Sequence, residues 1–159
     1  YNSILLLMAG LLILFKANVL NTDELKWKRW WLFSGYTLCL FSIEEIVGIH
    51  ELINTLSKTS WTVYVLPFLI IAVIAYIPFF LHYKGRTGYL FMSSVLIYFT
   101  GAVFVEHFSS AKVNSLQYNM VSALEEGLEI LGVIVLIYTI LSDLRERKLN
   151  ILHIDLEIN

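Results

Sequence analysis

Glu44, Glu45, Glu51, Glu106, Glu125, Glu126 and Glu129 are seven of the 13 acidic residues in the chain. All lie within or at the ends of apolar stretches long enough to cross a membrane, and no Lys or Arg shares those stretches with them. An ionised carboxylate in hydrocarbon is strongly disfavoured, so acids in such places typically mark ion sites, proton relays or conduction paths. His50 and His107 stand next to Glu51 and Glu106 and add imidazole to the set. The chemistry this points to is the binding or conduction of a cation, either a proton or a divalent metal.

Helical spacing favours convergence. Glu44 and Glu51 are seven residues apart and share one helix face; Glu125 and Glu129 are four apart and share another. Such pairs repel when both members are ionised. Two arrangements answer them: several glutamates keep their protons, or a bound cation supplies the positive charge. The candidate ligands for a divalent metal are Glu44, Glu45, His50, Glu51, Glu106, His107, Glu125, Glu126 and Glu129. Di-metal helical bundles draw on Glu-x-x-His motifs, and the adjacent His50-Glu51 and Glu106-His107 pairs lack that spacing. A plainer role is also open, in which these carboxyls bond to Ser42, Tyr98, Tyr118 or a backbone carbonyl and hold helices together. No catalytic machinery is recognisable, so the chain does not read as an enzyme. The enzymatic exception would be haem or zinc held by His50 and His107.

The elements that must position these groups are membrane helices. The chain is 58% hydrophobic and only 15% charged, with a mean hydropathy of +0.72, which is too apolar for a soluble domain of 159 residues. Backbone amides inside lipid must be satisfied within the segment, so long apolar runs without strand-like alternation predict an all-α, polytopic transmembrane helical bundle. A span needs about 20 residues to cross about 30 Å of hydrocarbon. About five segments qualify: Ser3 to Leu20, Trp30 to Leu52, Trp61 to His82, Tyr89 to Phe108 and Tyr118 to Leu141. Residues 1–148 form one bundle on this reading. Residues 149–159 form a tail whose alternating Ile154, Leu156 and Ile158 give the period-two pattern of a strand able to pair with another chain, with the stub of a lost domain or a disordered end as the alternatives.

Basic residues orient the bundle. Lys16, Lys26, Lys28, Arg29, Lys84, Arg86, Arg145, Arg147 and Lys148 fall on one side of a five-span model, against Lys58 and Lys112 on the other. The positive-inside rule makes the richer side cytoplasmic, with the N-terminus outside and the C-terminus inside. Lys16 is placed where it can snorkel to the inner surface. Trp27, Trp30 and Trp31 at the inner edge, and Trp61 at the outer edge, match an interfacial aromatic belt. In this orientation all seven glutamates fall in the outer half of the bilayer, descending from Glu51 and Glu106 near the surface to Glu129 near the midplane.

Other features bound the function. A net charge of −2, with basic residues confined to short loops, argues against a nucleic-acid partner. Cys39 is the sole cysteine, so no disulfide framework or thiolate metal centre can form within one chain. The stretch Ser3 to Leu20 is longer than the core of a cleaved signal and reads as a span. Pro67 and Pro78 remove backbone donors from the third span, a bend that serves packing.

Two strings carry a resemblance: Phe41-Ser42-Ile43-Glu44-Glu45 leading to Ile49-His50-Glu51, and Leu124-Glu125-Glu126-Gly127-Leu128-Glu129-Ile130-Leu131-Gly132. Together, over roughly Phe33 to Asp143, they resemble an uncharacterised family of bacterial multi-pass inner-membrane proteins, in which Asp usually stands where this chain has Glu44. The resemblance implies a bacterial inner-membrane location and importance for the acidic residues, and it supplies no activity.

The leading expectation is therefore a small membrane protein that binds or conducts a cation, as a homo-oligomer whose acidic helices line a shared pore. If the cation is a metal, a divalent metal ion is the cofactor it would take; if it is a proton, none is needed. The second expectation is a sensor or effector subunit of a multi-component system, for example in prokaryotic antiviral defence, with the tail contacting a cytoplasmic protein partner.

Overall fold

A computed structural model of the chain describes residues 2–19, 25–56, 61–83, 85–105 and 116–157. The fold is all-α, with no strand among the described residues. Its elements in chain order are α1 (Asn2–Val19), α2 (Leu25–Val47), α3 (Ile49–Leu56), α4 (Trp61–His82) and α5 (Arg86–Phe99). A π-helical segment, Thr100–Val105, continues α5, and α6 spans Leu116–Glu157.

Small residues set how closely these helices approach. α1 and α2 form an antiparallel hairpin that crosses at Gly10 and Gly35, where a Cβ on Gly10 would sit 2.7 Å from Cys39 Sγ and 2.9 Å from the Gly35 carbonyl. Nearby, the Ser42 hydroxyl donates to the Ser3 carbonyl at 2.7 Å and ties the same two helices together. The second close pair is α5 against α6. A Cβ on Gly132 would lie within 3 Å of the Tyr98 amide nitrogen and the Ser94 carbonyl, and one on Gly101 would meet the Glu125 carbonyl at 2.8 Å. α1 then packs on α6, burying Leu6, Ala9, Ile13 and Ala17 of α1 near Val133, Leu136 and Ile140 of α6 in one core. The three- and four-residue steps between those α1 positions put them on a single stripe.

One end of the bundle is aromatic. Trp31 is fully buried and meets Phe79 and Phe91 edge-on, with centroids 4.9 and 5.6 Å away, while Trp27 stacks on His82 at 4.1 Å. The tryptophans expected to form an interfacial belt thus include a core residue, because the C-terminal end of α4 folds Tyr76, Phe79 and Phe80 onto α2. Away from that end α4 is open, with Phe68, Ile70, Ile71 and Ile74 all exposed. The Trp61 side chain lies outside the described residues.

Several boundaries differ from those expected. The second apolar stretch does not run unbroken to Leu52: Gly48 adopts a left-handed φ of 66°, ends α2 and starts α3. Its amide donates to the Glu44 carbonyl at 2.7 Å, the kind of contact that closes a helix C-terminus. The tail expected as a strand from residue 149 continues α6 as helix to Glu157. Leu149, Leu152 and Leu156 step by three and four residues, a helical stripe that competes with the period-two pattern, and no Gly or Pro interrupts the run from Leu141. Where about five spans were expected, two helices among the described residues are long and apolar enough to cross a membrane, Asn2–Val19 and the Leu116–Glu146 part of α6. Leu66–His82 is a shorter apolar helix. α2 carries Lys26, Lys28, Arg29, Glu44 and Glu45, and α5 is only 14 residues long before it passes into π geometry.

Candidate functional site

Two of the predicted glutamates converge on one amide. Asn2, in the first turn of α1, donates from Nδ2 to Glu129 Oε2 at 2.6 Å and to Glu45 Oε1 at 3.3 Å. Both bonds leave the same nitrogen, so the two carboxylate oxygens are no more than about 6 Å apart. Glu129 is 8% exposed on α6 and Glu45 is half-buried near the end of α2. The Tyr98 side chain on α5 hydrogen-bonds with Asn2 and faces Glu129, Glu45 and Glu44. The site is thus built from four helices that are distant in sequence.

Local structure explains how each group reaches it. Ser42, bonded to the Ser3 carbonyl, fixes the register of α2 on α1 one turn below Glu45. Gly101 and Gly132 let α5 and its π-helical extension close onto α6 on either side of Glu129. A π-helical segment widens the helix by one residue per turn and recurs at functional sites; here it lies against the Glu125–Glu129 turn of α6.

The other predicted residues distribute unevenly. Glu44 and Glu125 are half-buried and Glu126 is exposed. The side chains of His50 and Glu51, and Glu106 and His107 altogether, lie outside the described residues. Among the described residues no group of three or more His, Cys, Asp or Glu side chains is placed to hold a metal ion. Asn2 offers the two carboxylates hydrogen-bond donors, and its Oδ1 is buried without a hydrogen-bond partner.

A second polar layer closes the opposite end of the α1–α6 contact. Lys16 Nζ lies 2.9 Å from Asp143 Oδ2, with side chains only 1% and 11% exposed. The ammonium also sits over the Trp31 ring, 3.7 Å from its centroid, and 5.5 Å from that of Tyr83. Trp31 Nε1 donates to Tyr83 Oη at 2.8 Å, which joins the two rings around the cation. Lys16 is therefore buried and paired where sequence reading had it snorkelling to the surface. Asn2 with Glu129, and Lys16 with Asp143, are both separated by 127 residues, so α1 and α6 lie parallel and in register over 14 residues, about 21 Å.

Asn2, Lys16 and Asp143 are the polar-layer residues that the sequence alone did not bring together. Asn2 and Asp143 flank the expected spans, and nothing local links positions so far apart. Tyr98 and Ser42 were accessible as polar side chains on spans that also needed carboxyl partners.

The chain belongs to the DUF8692 family, described as a domain of unknown function, whose model matches residues 1–144. The match takes in every residue of both polar layers. No curated protein and no solved structure matches the chain.

Proposed function

We propose that this DUF8692 protein is a multi-pass protein of the bacterial inner membrane that binds or conducts a cation through Glu45 and Glu129. The observation that carries the reading is the convergence of these two carboxylates, from α2 and α6, on the single Asn2 amide in an apolar helical setting. Two full charges about 6 Å apart repel by about 3 kcal/mol at an effective dielectric of 20. One proton on either carboxyl removes that repulsion, and the Asn2 Nδ2 group donates to both. The arrangement favours a proton over a divalent metal, because Asn2 directs N–H groups into the site. Rotation of its amide would present Oδ1 beside Glu45 and Glu129 and admit a metal, with the half-buried Glu44 and Glu125 as candidate further ligands.

In the orientation set by the basic residues, the Glu45–Glu129 layer lies in the outer half and the Lys16–Asp143 layer at the cytoplasmic boundary. Protons entering from outside meet Glu125 and Glu126 before Glu129. The exposed apolar residues of α4 give a homo-oligomer a face on which to assemble around a shared path. Proteoliposomes loaded with a pH-sensitive dye test this. A proton leak carried by the wild type and abolished by Glu129→Gln supports the reading, and an undiminished leak in that variant removes it. Elemental analysis of the purified protein, with and without Glu129→Gln, separates a bound metal from proton handling.

A second reading, a membrane subunit with a cytoplasmic protein partner, is favoured by the length of α6. Its 42 residues extend about 63 Å, roughly twice the hydrocarbon thickness. Deleting residues 149–159 tests it, since loss of a co-purifying partner with the proton leak intact would assign the extension to binding.

A further inference from the structure

We propose that a cleft between the start of α5 and the cytoplasmic part of α6 binds the phosphate headgroup of an anionic phospholipid. The cleft has a volume of about 390 Å³ and is lined by Arg86, Tyr138, Leu141, Ser142, Arg145 and Glu146. Tyr138, Leu141, Ser142 and Arg145 follow three-, four- and seven-residue steps and so share one face of α6. Arg86 comes from α5 and is fixed there: its Nη2 donates to Tyr138 Oη at 2.6 Å, and its guanidinium carbon lies 5.9 Å from the ring centroid. A guanidinium carries five N–H donors, so one bond to Tyr138 orients it without saturating it.

Charge and shape select the ligand. Two arginines against Glu146 leave the lining positive, and the first turn of α5 adds to this, since Gly85 at its start supplies no side-chain cap to the leading amides. The Ser142 hydroxyl is a further donor. Below the arginines Tyr138 and Leu141 are each 49% exposed and form an apolar wall. A positive shelf over an apolar wall suits an amphiphile, whose phosphate meets Arg86 and Arg145 while an acyl chain runs along α6. Basic pockets between helices on the cytoplasmic side recognise acidic lipid headgroups in this way. Ser142 adjoins Asp143, which puts the cleft at the inner boundary of the membrane reading given above. The inference rests on that placement and is independent of what the glutamates carry.

Native mass spectrometry of the protein in neutral detergent, titrated with phosphatidylglycerol or phosphatidylcholine, tests the site. Phosphatidylglycerol should be retained with a preference on the order of tenfold, lost in Arg86→Gln/Arg145→Gln and kept in the exposed control Arg29→Gln. Arg145 is exposed, so Arg145→Gln alone, which should lose part of the preference, decides the matter if the double variant does not fold. Equal retention of the two lipids by the wild type, or an unchanged preference in the Gln variants, overturns the proposal. Displacement of bound phosphatidylglycerol by inorganic phosphate would assign the cleft to a soluble anion and overturn it as well.

Discussion

Lys16 and Asp143 form a buried ion pair that tolerates little change in either partner. Removing one member of a buried pair leaves a desolvated charge and costs about 3–5 kcal/mol, whereas replacing both with apolar groups of similar volume is close to neutral. Lys16→Met and Asp143→Leu should each depress thermal stability in detergent strongly, and the double variant should recover most of it. Additive losses would show that the two act separately. At the other layer Asn2 donates to two acids, so Asn2→Ala should cost about 1 kcal/mol, in the range of interhelical hydrogen bonds between membrane helices. Asn2→Asp adds a third carboxyl in the same space and should be worse than Asn2→Ala in the same thermal melt; an equal effect would mean that charge at this point does not matter. Glu45 and Glu129 were legible as acids on apolar helices, and Tyr98 as a neighbour able to bond them. Asn2 was not, because an amide at the head of an apolar run has no periodic signature. Lys16 was read as a surface cation because its partner stands 127 residues away.

At the level of elements, glycine contacts decide which helices touch. A Cβ on Gly10 already falls inside the contact distance of Cys39 Sγ and the Gly35 carbonyl, so Gly10→Ile must push α1 away from α2. Overpacking of this kind costs about 1–3 kcal/mol, and it should also loosen Asn2 from Glu45, lowering the melting temperature and the proton leak together. A normal melt with normal leak would count against the crossing described. Gly48 breaks what hydropathy alone reads as one continuous span, since a positive φ leaves no trace in an apolar average. The π-helical turn after Phe99 is equally silent in sequence. The tail had two overlapping periodicities, and continuity with α6 selected the helical one.

For the whole molecule, composition was enough to establish an all-α fold and not enough to count its crossings. Among the described residues length and apolarity support two candidate spans, while α2, α4 and α5 pack their aromatic residues into the shared core. The proposed orientation is open to a direct test in a Cys39→Ser background. Leu116→Cys is exposed at the start of α6 and should react with a membrane-impermeant maleimide on intact spheroplasts, whereas Arg29→Cys should react only after lysis. The reverse pattern would invert the model. The shared offset between the two polar layers also has a consequence for how the protein is made. At translation rates of about 5–20 residues per second, Lys16 emerges on the order of ten seconds before Asp143 is synthesised. In the proposed orientation its long side chain can reach the inner headgroups during that interval, and it is buried against Asp143 once α6 packs on α1. A chain truncated before Asp143 would keep an unanswered ammonium on α1, which should leave that helix less stably packed.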